Sequence, residues 1–349
     1  MTSSDLVLEM LDLPITGAAV GAALELGLFW VLADGPCTSE SLARRLGILS
    51  SRCEPLAALL ASEGLIVETR EGWALTEAAR STILGGYSMA TWQFLAQEAR
   101  ERCRAVLDLP AALRAGPADP GTLPDYVEEM MRDPERARRF TRMLYEIHQP
   151  LARRLAVALE LTGVGRLLDL GGGSGVVSLA LVRRWPELAA TVVDVASVCD
   201  AGREIAAEEG LADRVSYLPA NFMAAELPAG FQAVLECDVA IYSVELFARV
   251  RRALADHGRF LVVDAFAEDG GGAGVAGARR EHGRDRSELA WSLVRRLRDP
   301  SWRAPTVEGT VAMLREAGFK TITTTSLPST PGVGGLSEAT TVIDARPGG

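Results

Sequence analysis

The chain has 349 residues, nearly half of them apolar, enough for two domains or for one domain with a large appendage. Its net charge of −10 argues against a nucleic-acid partner, because phosphate binding needs a basic face. No uninterrupted apolar run approaches the ~20 residues of a membrane span. The N-terminal MTSSDLVLEMLDLP lacks the basic segment of a secretory signal, so a cytoplasmic location away from membranes is expected. The five cysteines (Cys37, Cys53, Cys103, Cys199, Cys237) include no CxxC pair and read as free thiols. The three histidines, His148, His257 and His282, lie far apart, and no metal site is expected.

Residues 15–33, ITGAAVGAALELGLFWVLA, are apolar on most sides and predict one buried or interface helix. TSESLARRLG follows as a helix capped by Thr38, with Ser41 three residues on. SRCEPLAALLASEGL predicts a second helix ended by Gly64, and LIVETREGWALTEAA a hairpin about a Glu71-Gly72 turn. Helix, helix, helix, hairpin is the pattern of a winged helix. A DNA-reading role does not fit, because the would-be reading helix offers only Arg52 and Glu54 among apolar and small residues.

Residues 88–160 are mostly helical, interrupted by AGPADPGTLPD with Pro117, Pro120, Gly121 and Pro124. The run DPERARRFTRMLYEIHQPLARRLAVALE predicts a helix bent at Pro150. From Arg166 strands and helices alternate: RLLDL, ATVVDV, VSYLPAN, AVLECDV and RFLVVDAF are strands with helices between them. That rhythm predicts an α/β fold with a doubly wound parallel sheet. KTITTTSL and TTVIDAR add a terminal β-hairpin. The expected domains are residues 1–100, a helical connector at 101–160, and 161–349.

The stretch LLDLGGGSGVVSLAL delivers Asp169 from a strand into a loop with Gly171, Gly172, Gly173 and Gly175, and then starts a helix. Glycines let backbone approach a ligand at the carboxyl end of a strand. Neither Gly171 nor Gly173 begins a Gly-x-Gly-x-x-Gly dinucleotide fingerprint, and no lysine makes a phosphate loop. The remaining pattern, Asp-x-Gly-x-Gly-x-Gly, resembles the S-adenosylmethionine motif of the class I methyltransferases. Asp194 ends the next strand, 25 residues on, where a carboxylate can accept ribose hydroxyls, followed by Val195. The third strand ends in PANFM, where the resemblance places the adenine contacts on Asn221 and Phe222.

The whole chain resembles the small-molecule O-methyltransferases with an N-terminal winged-helix dimerisation domain, of the bacterial secondary-metabolite type. ALELGLFWVLADGPCTSESLARRLG, LASEGLI, LLDLGGGSG, VVDVASV and RAPTVEGTVAMLREAGF carry the resemblance. It implies S-adenosylmethionine as cofactor, S-adenosylhomocysteine as product, and a small-molecule substrate, aromatic or enolisable. It also implies a homodimer in which the first domain helps to wall the partner's substrate pocket.

The family's usual Leu-His-x-Trp base falls within LECDVAIYSVE, where Ile241 stands in the histidine's place. Isoleucine cannot titrate, so the usual base is missing. MLYEIHQ and VAIYSVE also resemble segments of the bacteriochlorophyllide C-methyltransferase, which points to His148 and Tyr242 as catalytic candidates. Glu236 and Asp238, two apart on a strand, are expected to share a face, and Glu236 and Cys237 to border the cofactor. The loop GGGAGVAGARREHGRDR, with His282, Arg279, Arg280, Arg284 and Arg286, reads first as an exposed insertion with a solvated charge run, and second as a lid or as a basic patch for an acidic, even carrier-bound, substrate. C-methylation, a non-methylating reaction that keeps the cofactor, and a cofactor-sensing scaffold are the alternatives.

Overall fold

The computed structural model describes residues 3–105, 107–114, 126–267, 286–298, 300, 302–327 and 340–348. The chain divides into two compact units, Met1–Ala112 and Leu113–Gly349.

The first unit opens with α1 (Ser3–Leu26) and α2 (Leu28–Ala33). The single helix expected over 15–33 is therefore two, broken at Gly27, whose φ of 76° is left-handed. It also starts twelve residues earlier than the apolar pattern. On α1 the side chains of Leu6, Val7, Leu8, Met10, Leu11, Leu13 and Ile15 are exposed, not buried. By length and composition this helix is apolar enough to cross a membrane, which corrects the expectation of no such segment. Its acidic residues Asp5, Glu9 and Asp12, and Pro14 within it, had interrupted the apolar run.

Next come α3 (Ser39–Leu46) and α4 (Ser50–Ser62), then β1 (Ile66–Thr69) and β2 (Gly72–Leu75), the helix–helix–hairpin order read from the sequence. Thr38 caps α3 by accepting from the Ser41 amide at 3.3 Å. Thr69 pairs with Gly72, so the turn is Arg70-Glu71 and Gly72 already begins β2. A side chain at Gly72 would strike the Cys37 carbonyl at 2.4 Å, which explains the glycine there. Phe29, Leu32, Leu42, Leu60 and Ile66 form the core of this unit. Helix α5 (Glu77–Ala79) runs into a π-helical turn, Arg80–Leu84; α6 (Met89–Ala105), packed on α1, and α7 (Leu109–Arg114) follow.

In the second unit α8 (Tyr126–Arg132), α9 (Pro134–Ile147) and α10 (Gln149–Ala158) precede the sheet. The bend expected at Pro150 is a full break at His148, and α10 restarts with Pro150 in its first turn, where a missing N–H is harmless. Then β3 (Arg166–Leu170), α11 (Val176–Arg184), β4 (Ala189–Asp194), α12 (Ala196–Glu208), β5 (Val215–Pro219), β6 (Phe231–Cys237), α13 (Val244–Ala253) and β7 (Leu254–Asp264) alternate. The described residues end with α14 (Arg286–Arg298), α15 (Val307–Glu316), β8 (Phe319–Leu327) and β9 (Thr340–Pro347).

The seven strands lie in the order β5-β4-β3-β6-β7-β9-β8. The first five are parallel; β9 pairs antiparallel with β7 and with β8, the terminal hairpin expected from the sequence. Leu155, Leu167, Leu179, Leu235 and Leu261 fill one side of the sheet. Leu168, Leu170, Val234, Leu246, Phe247 and Leu314 fill the other. Reversal of the strand order between β3 and β6 leaves a crevice at their carboxyl ends, the usual ligand position in such sheets. The loop with His282, Arg279, Arg280 and Arg284, and the connector with Pro117, Pro120, Gly121 and Pro124, lie outside the described residues.

Candidate functional site

The glycine loop leaves β3 with Gly171, Gly173 and Gly175 all at positive φ, 63°, 56° and 74°. Each of these glycines meets a different demand. A side chain at Gly171 would meet Val239 at 2.8 Å and Phe222 at 3.2 Å; one at Gly172 would strike the Asp169 carboxyl at 2.5 Å. One at Gly175 would strike the Tyr217 hydroxyl at 2.4 Å, yet above Gly173 nothing lies within 4 Å. The loop is thus packed on three sides and open over Gly173.

Tyr217 of β5 anchors this loop from below. Its hydroxyl donates to the Ser174 carbonyl at 2.9 Å, and its ring lies where any side chain at Gly202 of α12 would be, 2.2 Å away. The sequence signal was faint: one tyrosine in VSYLP and two distant glycines.

Asp169 is buried, and its Oδ2 accepts from the Ser178 hydroxyl at 2.6 Å, while Oδ1 has no hydrogen-bond partner. Asp194 accepts from the Gly173 amide at 3.0 Å and from the Val195 amide at 2.7 Å. Burial pushes Asp169 up to about 7, against the Ser178 hydrogen bond and with help from the Asp194 charge. Burial likewise lifts Asp194 to about 6, against its two backbone amides. The side chain of Val195 packs with Met130 and Ala137 of α8 and α9, so only its backbone bears on the carboxylate. Asn221 turns its Oδ1 back onto the Met223 amide at 3.0 Å, and Phe222 stands beside Gly171.

The end of β6 departs from the sequence reading. Glu236 is fully buried, and neither of its oxygens makes a hydrogen bond of good geometry. Burial and the nearby Asp264 and Asp238 charges push it well above the usual carboxylate range, beyond what the Ala240 and Ile241 amides offset. Asp238 does not share a face with Glu236: the strand ends at Cys237, and Asp238 and Ala240 adopt φ of 58° and 56°. Non-glycine residues there store strain of roughly 1–3 kcal/mol each, a feature that clusters at functional sites. Cys237 is half-buried, with its thiol pushed well up by burial and the surrounding carboxylates.

The turn in Asp238 brings it to His148, whose Nε2 is 3.3 Å from Asp238 Oδ2; the other ring nitrogen lies 2.9 Å from the Leu144 carbonyl. Burial lowers the imidazole, but Asp238 and the Leu144 carbonyl outweigh it and hold His148 above its ordinary value. An acceptor at each nitrogen favours the doubly protonated ring. Helix α9, which ends just before it, is clamped to α12: Arg138 meets Glu204 at 2.7 Å, and Arg142 meets Glu208 at 2.6 Å and Glu204 at 3.0 Å.

Tyr242 donates to Asp264 Oδ2 at 2.5 Å, and its ring stacks on Phe266 at 6.1 Å between centroids and tilts against Phe247 at 5.8 Å. Burial, with the Glu236 and Asp264 charges, raises the phenol far above its ordinary value, so Tyr242 is no free base. Asp264 itself was missed in the sequence. Its signal, a carboxylate closing the buried strand RFLVVD, is the same as that of Asp169 and Asp194. Burial pushes it up to about 6, opposed by the Tyr242 hydrogen bond.

These residues fit S-adenosylmethionine. The orphaned Asp169 Oδ1 needs a donor, the space over Gly173 admits a ligand against bare backbone, and two buried carboxylates suit a ligand with an ammonium and a sulfonium. Among the described residues no cluster of His, Cys, Asp and Glu could hold a metal ion.

Comparison with known proteins agrees. A family model of the O-methyltransferase domain matches residues 122–287. The 3-hydroxy-5-methyl-1-naphthoate 3-O-methyltransferase of Streptomyces sahachiroi is 34% identical over 216 residues, 61% of this chain and 62% of that protein. The N,N-dimethyltransferase OxyT of Streptomyces rimosus is 28% identical over 257 residues, 72% of this chain and 75% of that one. Human N-acetylserotonin methyltransferase, solved in complex with S-adenosylmethionine, superposes with a TM-score of 0.76 at 20% identity, covering 100% of each chain, a likeness of fold. The family match over residues 122–287, the sheet order and the Asp169–Gly175 loop agree in likening this part of the chain to the O-methyltransferase domain.

Proposed function

We propose that the protein is an S-adenosylmethionine-dependent methyltransferase that methylates a hydroxyl of a small aromatic or enolisable metabolite without a histidine base. The observation that carries this reading is the glycine loop, open over Gly173 and flanked by the buried carboxylates of Asp169 and Asp194. When bound, S-adenosylmethionine supplies an electrophilic methyl carbon. Asp169 meets its ammonium end with the free Oδ1, and Gly171, Gly172 and Gly173 give the backbone surface. Asp194, fixed by the Gly173 and Val195 amides, takes the ribose hydroxyls. Asn221 and Phe222 border the adenine, and Glu236 and Cys237 close the strand end beside the loop. Substitution at a sulfonium needs the acceptor oxygen held in line with the methyl carbon, and positioning alone contributes a large part of the rate.

His148 serves as a cation rather than a base: with Asp238 and Leu144 on its two nitrogens, it offers charge that steadies an ionising acceptor. The naphthoate relative supports a hydroxylated aromatic substrate. A nitrogen acceptor is the second reading, favoured by the N,N-dimethyltransferase relative. We assign the first unit to dimerisation, through α1: its apolar side chains are exposed, and its acidic residues suit a protein partner better than lipid.

The test is calorimetric titration with S-adenosylmethionine. Wild-type protein is expected to bind it, and Asp194→Ala to bind it about tenfold or more weakly, since a hydrogen bond to a charged group is worth roughly 1.5–3 kcal/mol. Equal affinities would remove Asp194 from the site, and no binding by the wild type would remove the reading.

A further inference from the structure

The missing histidine leaves the substrate proton without an acceptor. His148 is disfavoured as that acceptor, because both ring nitrogens already face acceptors. A phenol alone is too weak a base. Yet Tyr242 is joined to a carboxylate by a short hydrogen bond, 2.5 Å from Asp264 Oδ2, and Phe247 and Phe266 hold its ring. The two residues come from the loop after β6 and the end of β7, adjacent parallel strands at the sheet's carboxyl edge. Tyr242 is half-buried, whereas Asp264, its hydrogen-bond partner, is buried.

We infer that Tyr242 and Asp264 form a proton relay in place of the absent histidine, with Tyr242 touching the substrate hydroxyl and Asp264 acting through it. This rests on the methyl-transfer reading. The acceptor O–H breaks and its proton goes to the Tyr242 oxygen, while the proton already on Tyr242 passes to Asp264 Oδ2. The acceptor oxygen forms the new bond to the methyl carbon, and the carbon–sulfur bond breaks with its electron pair left on sulfur. The carboxylate's negative charge and the sulfonium's positive charge vanish together, and nothing is oxidised or reduced.

The groups that bear on Asp264 are Tyr242, Asp238 and Arg295, with the Ala265 amide on its other oxygen at 2.7 Å. Glu236 stands behind the pair; Asp264 is the largest charge acting on it, and its own burial favours the neutral acid. That preference of Glu236 for the neutral acid favours Asp264 as the proton acceptor of the two. Burial places Asp264 near 6, so it is ionised and ready at neutral pH and loses that capacity as pH falls through about 6.

Two measurements on Asp264→Asn and Tyr242→Phe test the relay. The first needs no cofactor: infrared difference titration is expected to give carboxyl signals near pH 6 from Asp194 and Asp264, of which Asp264→Asn removes one and Tyr242→Phe moves that same one. The second is kcat/KM against pH for phenols of graded acidity. For weakly acidic phenols both variants are expected to lose about 10²–10⁴-fold, and Asp264→Asn to lose the acid limb, as for removal of a general base. Phenols already ionised at the assay pH are expected to be nearly unaffected. Equal losses for weak and strong acids, or carboxyl signals unchanged in Asp264→Asn, overturn the relay while the wild type still methylates. A wild type that yields no S-adenosylhomocysteine with any acceptor overturns the methyl-transfer reading and the relay with it.

Discussion

Asp169 carries the heaviest electrostatic load of any residue in the glycine loop. Its folded pKa, about 7, lies above its unfolded value of 3.8. A group shifted upward favours the fold while protonated, so that contribution is complete below about pH 4 and lost as pH rises through 7. At pH 8 the ionised carboxylate therefore works against folding of the cofactor-free protein, on the order of a few kcal/mol at ~1.36 kcal/mol per unit. Asp169→Asn keeps an acceptor for Ser178 and removes the charge. Its melting temperature without cofactor is expected to exceed that of the wild type at pH 8, with the gap closing by pH 4, while affinity for S-adenosylmethionine drops. A stability change independent of pH, followed by calorimetry at both values, would contradict this. Much of the residue-level site was legible: the pattern of Asp169, the loop glycines and Asp194 is local in sequence. Asp264 and Tyr217 were not, because each acts through a partner in a loop after another strand, 22 residues away at Tyr242 and 43 at Ser174.

Among the elements, α1 departs most from its sequence reading. The apolar stretch 15–33 suggested a buried or interface helix, and α1 extends twelve residues further toward the N-terminus, presenting Leu8 at 61% and Leu11 at 69% exposure. An apolar face of this size on a helix marks an interaction surface. Sedimentation of the wild type is expected to give a dimer, and Leu8→Glu with Leu11→Glu to give a monomer that retains its helical spectrum. A wild-type monomer, or a double variant that remains dimeric, would take the interface away from α1. Sequence reading placed most strands within a residue or two, since each β-run in the second unit is bounded by clear turn signals. It failed where a strand ends in a left-handed turn: Asp238 is two residues from Glu236, and period-two reasoning put both on one face. Tertiary pairing of Asp238 with His148 overrides that local rule.

At the scale of the whole molecule, the strand order β5-β4-β3-β6-β7-β9-β8 brings the ends of β3, β4, β6 and β7 to one edge, each with a carboxylate at or near its end: Asp169, Asp194, Glu236 and Asp264. Such a concentration of buried carboxyl groups is costly to ionise and suits a cationic ligand. Alternation of strands and helices made this edge legible in outline, because a doubly wound sheet binds ligands at its switch point. The acceptor chemistry was less legible, since the base position is defined by what Ile241 lacks. The most direct measurement follows the label from methyl-labelled S-adenosylmethionine in the presence of hydroxylated aromatic acceptors. The account expects label on an acceptor oxygen and one S-adenosylhomocysteine per methyl group transferred. Cofactor bound at the loop with acceptor consumed, but with no label transferred and no S-adenosylhomocysteine formed, would contradict it.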